Sequence, residues 1–198
     1  VEAINQVGLE EQELPVEYYI VKSRQEVVSE DGRSRIVLLP DSKFGVDVHI
    51  TFDSPVLSNQ FASLEDLKAF DSEVASCRTF VFVREVEQLL QNNLIKGGDL
   101  DNALVIYDQP LEQEQIDRIC DLMHVERKRG LELGYINNAP IIFPNEPARH
   151  KLLDVLGDLA LIGRPIRGRI LAYCPGHKIN NEMGAKIRKD IKLNEAQA

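Results

Sequence analysis

The chain carries the stretch Asn145-Glu-Pro-Ala-Arg-His-Lys-Leu-Leu-Asp-Val-Leu-Gly-Asp158. Read as a helix, this stretch places His150, Asp154 and Asp158 four residues apart in turn, so their side chains share one face. An imidazole and a carboxylate at positions i and i+4 can bind one divalent metal, and nitrogen and oxygen ligands suit zinc. Taken alone, such a pair is more often an ordinary contact on a helix surface. The stretch therefore predicts a helix and leaves two interpretations of its polar face.

A second histidine follows a run that is typical of a strand. The run is Gly168-Arg-Ile-Leu-Ala-Tyr173, and Gly176-His177 comes just after it. We interpret the two segments as half of a metal site with an acid/base histidine beside it. Catalytic zinc usually has three protein ligands and a water, and the third ligand is not visible. His49, on the polar face of a strand, and His124, in a charged helix, are both expected to face solvent.

Composition restricts the class of protein. The 198 residues are 43% hydrophobic, which is enough for a core, and a net charge of −9 argues against a nucleic-acid partner. The longest apolar runs are too short to span a bilayer, so we expect a soluble chain without a membrane span. Three cysteines without paired spacing, and an amino terminus unlike a signal peptide, predict a cytoplasmic location.

The hydrophobic pattern predicts an α+β fold. Strands are expected at 16–21 and 35–39, which would form a hairpin around Ser29-Glu-Asp-Gly32, and at 46–52, 103–107 and 168–173. Helices are expected at 63–76 with Ser63 as N-cap, and at 84–92, 111–133, 146–162 and 182–191. Sheets followed by helices that close over one face indicate a two-layer sandwich, with a sheet packed on helices.

Several separated motifs, in order, carry a family resemblance. They are Cys77-Arg78-Thr79-Phe80-Val-Phe82-Val-Arg84-Glu85-Val-Glu87, Gly97-Gly98-Asp99-Leu100-Asp101-Asn102-Ala103, His150-Lys151-Leu-Leu-Asp154 with Gly157-Asp158, and Tyr173-Cys-Pro-Gly176-His177-Lys-Ile-Asn180-Asn181. From about residue 14 to about residue 189, the chain resembles the zinc-dependent UDP-3-O-acyl-N-acetylglucosamine deacetylases of lipid A synthesis. The resemblance implies a hydrolase that uses Zn²⁺ to release acetate from UDP-3-O-acyl-N-acetylglucosamine.

The resemblance implies that His150 and Asp154 are the zinc ligands in this chain. In the family, the third ligand is a histidine of a first domain, preceded by a glutamate that acts as general base. No Glu-His pair occurs in this sequence. We therefore expect a second domain that needs the missing first domain as a partner and is inactive alone.

The resemblance also assigns catalytic and substrate-binding side chains. His177 would stabilise the oxyanion and protonate the leaving amine, Asp158 would orient His177, and Thr79 would polarise the amide carbonyl. Lys151 and Gly176 would contact the substrate. For Thr79, ordinary strand propensity is a serious alternative, and a helical lysine is usually just solvated.

A strand–helix–strand insert would form the passage for the acyl chain. Its lining residues would be Phe80, Phe82, Val86, Ile95, Gly98, Leu100, Ala103 and Val105. Phe80 and Phe82 are two apart and point the same way in a strand. Each of these side chains could instead be ordinary core.

We expect three segments in the chain. Residues 1–14 would be a remnant of the first domain, 15–191 the acyl-binding and metal-helix domain, and 192–198 a disordered tail. A non-catalytic module that binds acyl lipids is the alternative function. Some family members are fused to a 3-hydroxyacyl-carrier-protein dehydratase, so the chain could be part of a bifunctional protein. The stretch 111–133 looks like an insertion.

Overall fold

The computed structural model describes residues 1–92, 102–123, 125–137 and 139–196. The strands are β1 (Tyr19–Ile20), β2 (Gln25–Val28), β3 (Arg35–Leu39), β4 (Phe44–Thr51), β5 (Asn59–Leu64), β6 (Thr79–Phe82), β7 (Ala103–Tyr107), β8 (Gly134–Tyr135) and β9 (Ile166–Tyr173). The α-helices are α1 (Glu2–Val7), α2 (Phe70–Glu73), α3 (Val83–Gln91), α4 (Gln113–Leu122), α5 (Glu146–Ala160) and α6 (His177–Glu195), and a 3-10 turn covers Leu67–Ala69.

The main sheet has the strand order β2-β3-β9-β4-β5, with β1 paired in parallel to the first residues of β9. The central β9 is antiparallel to β3 and parallel to β4. Alternation decides which face of β4 is buried: Val46, Val48 and Ile50 point into the core, while the side chains between them are partly exposed. Helices α5 and α6 cover this apolar face, which confirms the predicted α+β two-layer arrangement.

The predicted strand–helix–strand insert is present. Strands β6 and β7 are parallel and α3 lies between them in sequence, while β8 adds an antiparallel third strand. All five residues of β7 are buried, as expected for a strand covered on both faces. The insert has its own small core between α3, β7 and α4.

The predicted hairpin partner is wrong. β3 pairs with β2 and not with residues 16–21, of which residues 19–20 form β1 beside β9. The connection 29–34 is closed by a hydrogen bond from the Ser29 amide to the Ser34 carbonyl. A hairpin from 16–21 would need the longer connection 22–34, and longer loops cost more entropy to close.

The predicted helix 63–76 is also wrong at its start. Residues 59–64 form β5, because the alternating Ala62 and Leu64 fill the core beside β4. The 3-10 turn begins after Asp66, whose carboxylate accepts a hydrogen bond from the Lys68 amide at 2.9 Å. Asp66 is therefore the N-cap of the 3-10 turn, and Ser63, the predicted N-cap, lies in β5.

Two further helix boundaries differ from the prediction. Helix α4 ends at Leu122, and the following segment folds back so that Arg127 and Arg129 pair with Asp121 and Asp117. Helix α6 begins at His177 and runs to Glu195, so residues 192–195 of the expected disordered tail are helical. None of the helices in the described part of the chain combines the length with the apolar composition that a membrane span requires.

One glycine of the central strand cannot be replaced without strain. Gly168 has φ +153°, and an added Cβ would lie 2.6 Å from Val21 Cγ2 and 2.9 Å from the Leu39 carbonyl oxygen. A side chain here would collide with Val21, just after β1, and with the backbone of β3.

Candidate functional site

The predicted metal-binding face lies on helix α5. One face carries the fully buried Ala148, Leu152 and Val155, which fix the helix against the sheet. The polar face that the sequence predicted lies beside it, and the side chains of His150, Asp154 and Asp158 are only 10–16% exposed. Packing of the apolar face therefore holds the three polar side chains in one row.

His150 and Asp154 have the geometry of a ligand pair. His150 Nε2 lies 3.4 Å from Asp154 Oδ1, which is long for a charge-assisted hydrogen bond. Two ligands at about 2.1 Å from one tetrahedral zinc ion are separated by about 3.4 Å. The other ring nitrogen, Nδ1, lies 3.1 Å from the Cys77 carbonyl oxygen, so Nδ1–H donates and Nε2 keeps its lone pair for a metal. The pair therefore fits zinc.

The described residues supply no third ligand. No group of three histidine, cysteine, aspartate or glutamate side chains within them could hold a metal ion. His49 lies on the face of β4 away from the helices, and its ring contacts that of Tyr173 with centroids 5.2 Å apart. His124 lies outside the described residues.

Lys151 lies between the ligand pair and the predicted acyl-binding residues. Its Nζ is 3.0 Å from Asp154 Oδ2 and 5.6 Å from the centre of the Phe80 ring. The ammonium group pairs with Oδ2 of Asp154 and leaves Oδ1, the oxygen that faces His150, available for a metal ion.

His177 is in contact with Asp158, the residue that the resemblance implied would orient it. Its Nδ1 lies 2.8 Å from Asp158 Oδ2, and the side chain is 69% exposed at the start of α6. This contact uses Nδ1 and leaves Nε2 as the nitrogen for a substrate. The wholly buried Asn180 donates its Nδ2–H to the same oxygen of Asp158 at 2.8 Å and fixes the carboxylate from the core side.

Thr79 begins β6, and its side chain is exposed. The residue before it, Arg78, forms an ion pair with Glu146 on the first turn of α5, and Glu146 is completely buried. Burial alone would raise the pKa of the Glu146 carboxyl, but the hydrogen bonds from Arg78 and from the Ile142 amide outweigh it and hold the pKa below its ordinary value. Thr79 is thus fastened to the helix that carries His150.

Glu146, Arg78 and the role of Asn180 were not predicted from the sequence. Glu146 resembles any acidic residue in a first helical turn, where negative charge is favourable. Only the tertiary contact between Arg78, the residue before β6, and the first turn of α5 reveals its partner. The structure shows that Glu146 is completely buried against Arg78, and a buried glutamate is rare unless it is paired.

A cleft of about 720 Å³ adjoins the site. Phe80, Phe82 and Lys151 line it, together with Glu85 and the segment 173–175. The rings of Phe80 and Phe82 pack against Phe52, with centroids 5.6 Å and 5.3 Å away. Burial raises the pKa of the Glu85 carboxyl, a rise that Arg84 opposes and Asp108 supports.

The other residues predicted to bind substrate lie elsewhere or outside the described part. Val86 and Val105 are buried in the small core of the insert and Ala103 is buried in β7, which favours their reading as core. Ile95, Gly98 and Leu100 lie outside the described residues, and Gly176 is the N-cap of α6. A larger cavity, of about 960 Å³, lies beside the end of α5 and contains none of the predicted site residues.

The chain is similar to one family profile and to several curated proteins with related names. The family profile described as "UDP-3-O-acyl N-acetylglycosamine deacetylase" matches residues 1–121 and 131–189. The chain is 66% identical over 198 residues to the "Bifunctional enzyme LpxC/FabZ" of Porphyromonas gingivalis, covering all of the chain and 43% of that protein. It is 54% identical to the protein of the same name from Bacteroides thetaiotaomicron, with the same coverage.

A relative with a single-function name matches more weakly. The chain is 33% identical over 193 residues to the "UDP-3-O-acyl-N-acetylglucosamine deacetylase" of Myxococcus xanthus, which covers 97% of the chain and 53% of that protein. The chain therefore spans about half the length of the curated relatives that it matches. The family profile passes over residues 122–130, inside the stretch expected to be an insertion.

Proposed function

Because the chain belongs to the UDP-3-O-acyl N-acetylglycosamine deacetylase family, we propose that it supplies half of a zinc site for deacetylating UDP-3-O-acyl-N-acetylglucosamine. One observation carries the proposal. His150 Nε2 and Asp154 Oδ1 are separated by 3.4 Å, while the Cys77 carbonyl takes the proton of Nδ1. This arrangement leaves one nitrogen and one carboxylate oxygen free to meet on one ion.

The reaction is hydrolysis of the N-acetyl amide. A bound zinc would lower the pKa of a water and polarise the acetyl carbonyl. As the water adds, the Thr79 hydroxyl donates a hydrogen bond to the carbonyl oxygen, on which negative charge builds. As the C–N bond breaks, His177 gives a proton from Nε2 to the leaving amine, with Asp158 holding the ring through Nδ1. Acetate and the free amine of the sugar result.

Substrate binding is assigned to the adjoining cleft. Lys151 meets the polar part of the substrate beside the metal pair, and Phe80 and Phe82 offer an apolar wall to the acyl chain. This assignment is supported by the position of Lys151, Phe80 and Phe82 in one cleft next to α5. The exposed His177 at the start of α6 remains accessible to a ligand.

The third ligand and the general base would come from the part of the relatives' length that this chain does not cover. Support comes from the ligand count within the described residues and from the coverage of 43–53%. A fused dehydratase is proposed from the names of the bifunctional relatives. A cytoplasmic location is proposed from the three cysteines, all described and all free thiols.

Zinc titration against a competing chelator tests the metal assignment. We expect weak binding by this chain that is lost in His150→Ala and kept in His49→Ala, which removes a histidine from the far face of the sheet. In the full-length protein, His150→Ala and Asp154→Ala should lose zinc and deacetylation together. Retained activity in either variant contradicts the assignment, and acyl-lipid binding without zinc binding would favour the non-catalytic module.

A further inference from the structure

We infer that Glu146 and Arg78 form a positioning pair that sets His150 and Thr79 in register with each other. The inference rests on the proposed function, because it concerns the histidine that would hold the zinc and the threonine that would donate a hydrogen bond to the acetyl carbonyl. Neither Glu146 nor Arg78 touches the cleft. Both act through the peptide segment that joins α2 to β6.

Each oxygen of the Glu146 carboxylate accepts two hydrogen bonds. Its Oε1 accepts hydrogen bonds from the Arg78 amide at 3.0 Å and from Arg78 Nε at 2.9 Å. Its Oε2 accepts from Arg78 Nη2 at 3.2 Å and from the Ile142 amide at 2.7 Å. A bidentate arginine pair with an added backbone donor defines both distance and orientation, which a single-point contact would not do.

The segment 77–79 contacts the His150 ring and also contains Thr79. The Cys77 carbonyl, one residue before Arg78, accepts the Nδ1–H of His150. Thr79, one residue after Arg78, begins β6. Glu146 and His150 are four residues apart on α5, so the helix and the segment 77–79 are joined at two adjacent points. Losing the Glu146 contact would let the carbonyl and Thr79 move relative to the His150 ring.

A neighbouring ion pair shows that α5 is anchored independently of this contact. Arg149 Nη1 donates to the carbonyl oxygen and to the carboxylate of Glu73, on α2. Arg149 also lies over the Phe143 ring, with the guanidinium carbon 4.3 Å from the ring centre. The helix therefore keeps an anchor when Glu146 is changed, and the specific effect expected is on the segment 77–79.

The test is Glu146→Gln in the full-length protein, an exchange that keeps shape and removes charge. Below the unfolding temperature, we expect kcat to fall about 10- to 100-fold and zinc affinity to fall about 10-fold, with KM within about threefold of wild type. The matched control is Asp47→Asn. It makes the same chemical exchange in the Arg169 pair on the far face of the sheet. The control should lower stability but leave kcat and zinc affinity unchanged.

Each outcome separates the inference from the proposed function. Wild-type kcat and zinc affinity in a folded Glu146→Gln variant would overturn the positioning pair, and so would equal losses in Asp47→Asn. If the wild-type protein does not deacetylate, the proposed function fails, while the zinc comparison still tests the pair. If Glu146→Gln does not fold, Arg78→Lys is measured in the same way, because it keeps the charge and loses the bidentate donor set.

Discussion

Replacing Asp158 by Asn tests the proposed role of His177 most directly. The exchange keeps the shape of the side chain and removes its charge. Asp158 Oδ2 accepts two hydrogen bonds, from His177 Nδ1 and from Asn180 Nδ2, both at 2.8 Å. The variant can satisfy both donors through its amide oxygen, so the main loss is the attraction between the carboxylate and the cationic ring that the proposed role requires.

The size of this loss follows from the exposure of the pair. Two unit charges about 4 Å apart attract by about 1 kcal/mol in water and by about 4 kcal/mol at an effective dielectric constant of about 20. His177 is 69% exposed and Asp158 16%, so the value should lie towards the lower end, at about 1–2 kcal/mol. This corresponds to a fall of about 5- to 30-fold in kcat.

The assay is release of free amine from the acylated substrate by the full-length protein, with zinc content measured on the same samples. Zinc should stay at the wild-type level, because Asp158 is not assigned as a ligand. The double variant with His177→Ala should be no slower than His177→Ala alone, since Asp158 acts through that ring. Unchanged kcat in Asp158→Asn, or loss of zinc with activity, would refute this reasoning.

Three further predictions concern stability and thiol reactivity. Leu152→Ala removes a wholly buried side chain of α5 and should cost about 3 kcal/mol, which a thermal melt would record as a fall of about 6–12 °C. The pKa of Glu146 is held below its ordinary value of 4.5, so its contribution to stability is present above that pH and is lost on acidification; stability measured from pH 7 to 3 should fall less steeply in Glu146→Gln. A thiol reagent should modify Cys174, in the cleft, before the buried Cys120 and before Cys77, whose pKa burial raises to about 11; equal rates for all three would contradict the packing.

Predictions from the sequence were most accurate where local and tertiary preferences agree. Helix α5 was predicted from the four-residue spacing of His150, Asp154 and Asp158, and the structure has a helix over Glu146–Ala160. The strand–helix–strand insert was implied by the family resemblance, and β6, α3 and β7 form it. The contact between His177 and Asp158, which are 19 positions apart, was implied by the resemblance and is present in the structure.

The errors arose where a distant strand decides local structure. Residues 59–64 become strand because the edge of β4 is available to pair with them, and a sequence read along the chain does not contain that edge. Residues beyond Leu122 have helix-forming composition, yet Arg127 and Arg129 fold back on the acidic face of α4. The partner of the buried Glu146 was hidden for the same reason, since Arg78 lies 68 positions away.

The position of β9 in the sheet also bears on how the molecule folds. β9 is the last strand along the chain, yet it pairs with β1, β3 and β4. During synthesis, the earlier strands must wait with open edges until residue 173 has left the ribosome, and such edges favour aggregation. The pairing of β1 with β9 spans almost 150 residues, and contacts this distant in sequence slow folding. We therefore expect the sheet to be completed slowly and only after β9 has been synthesised.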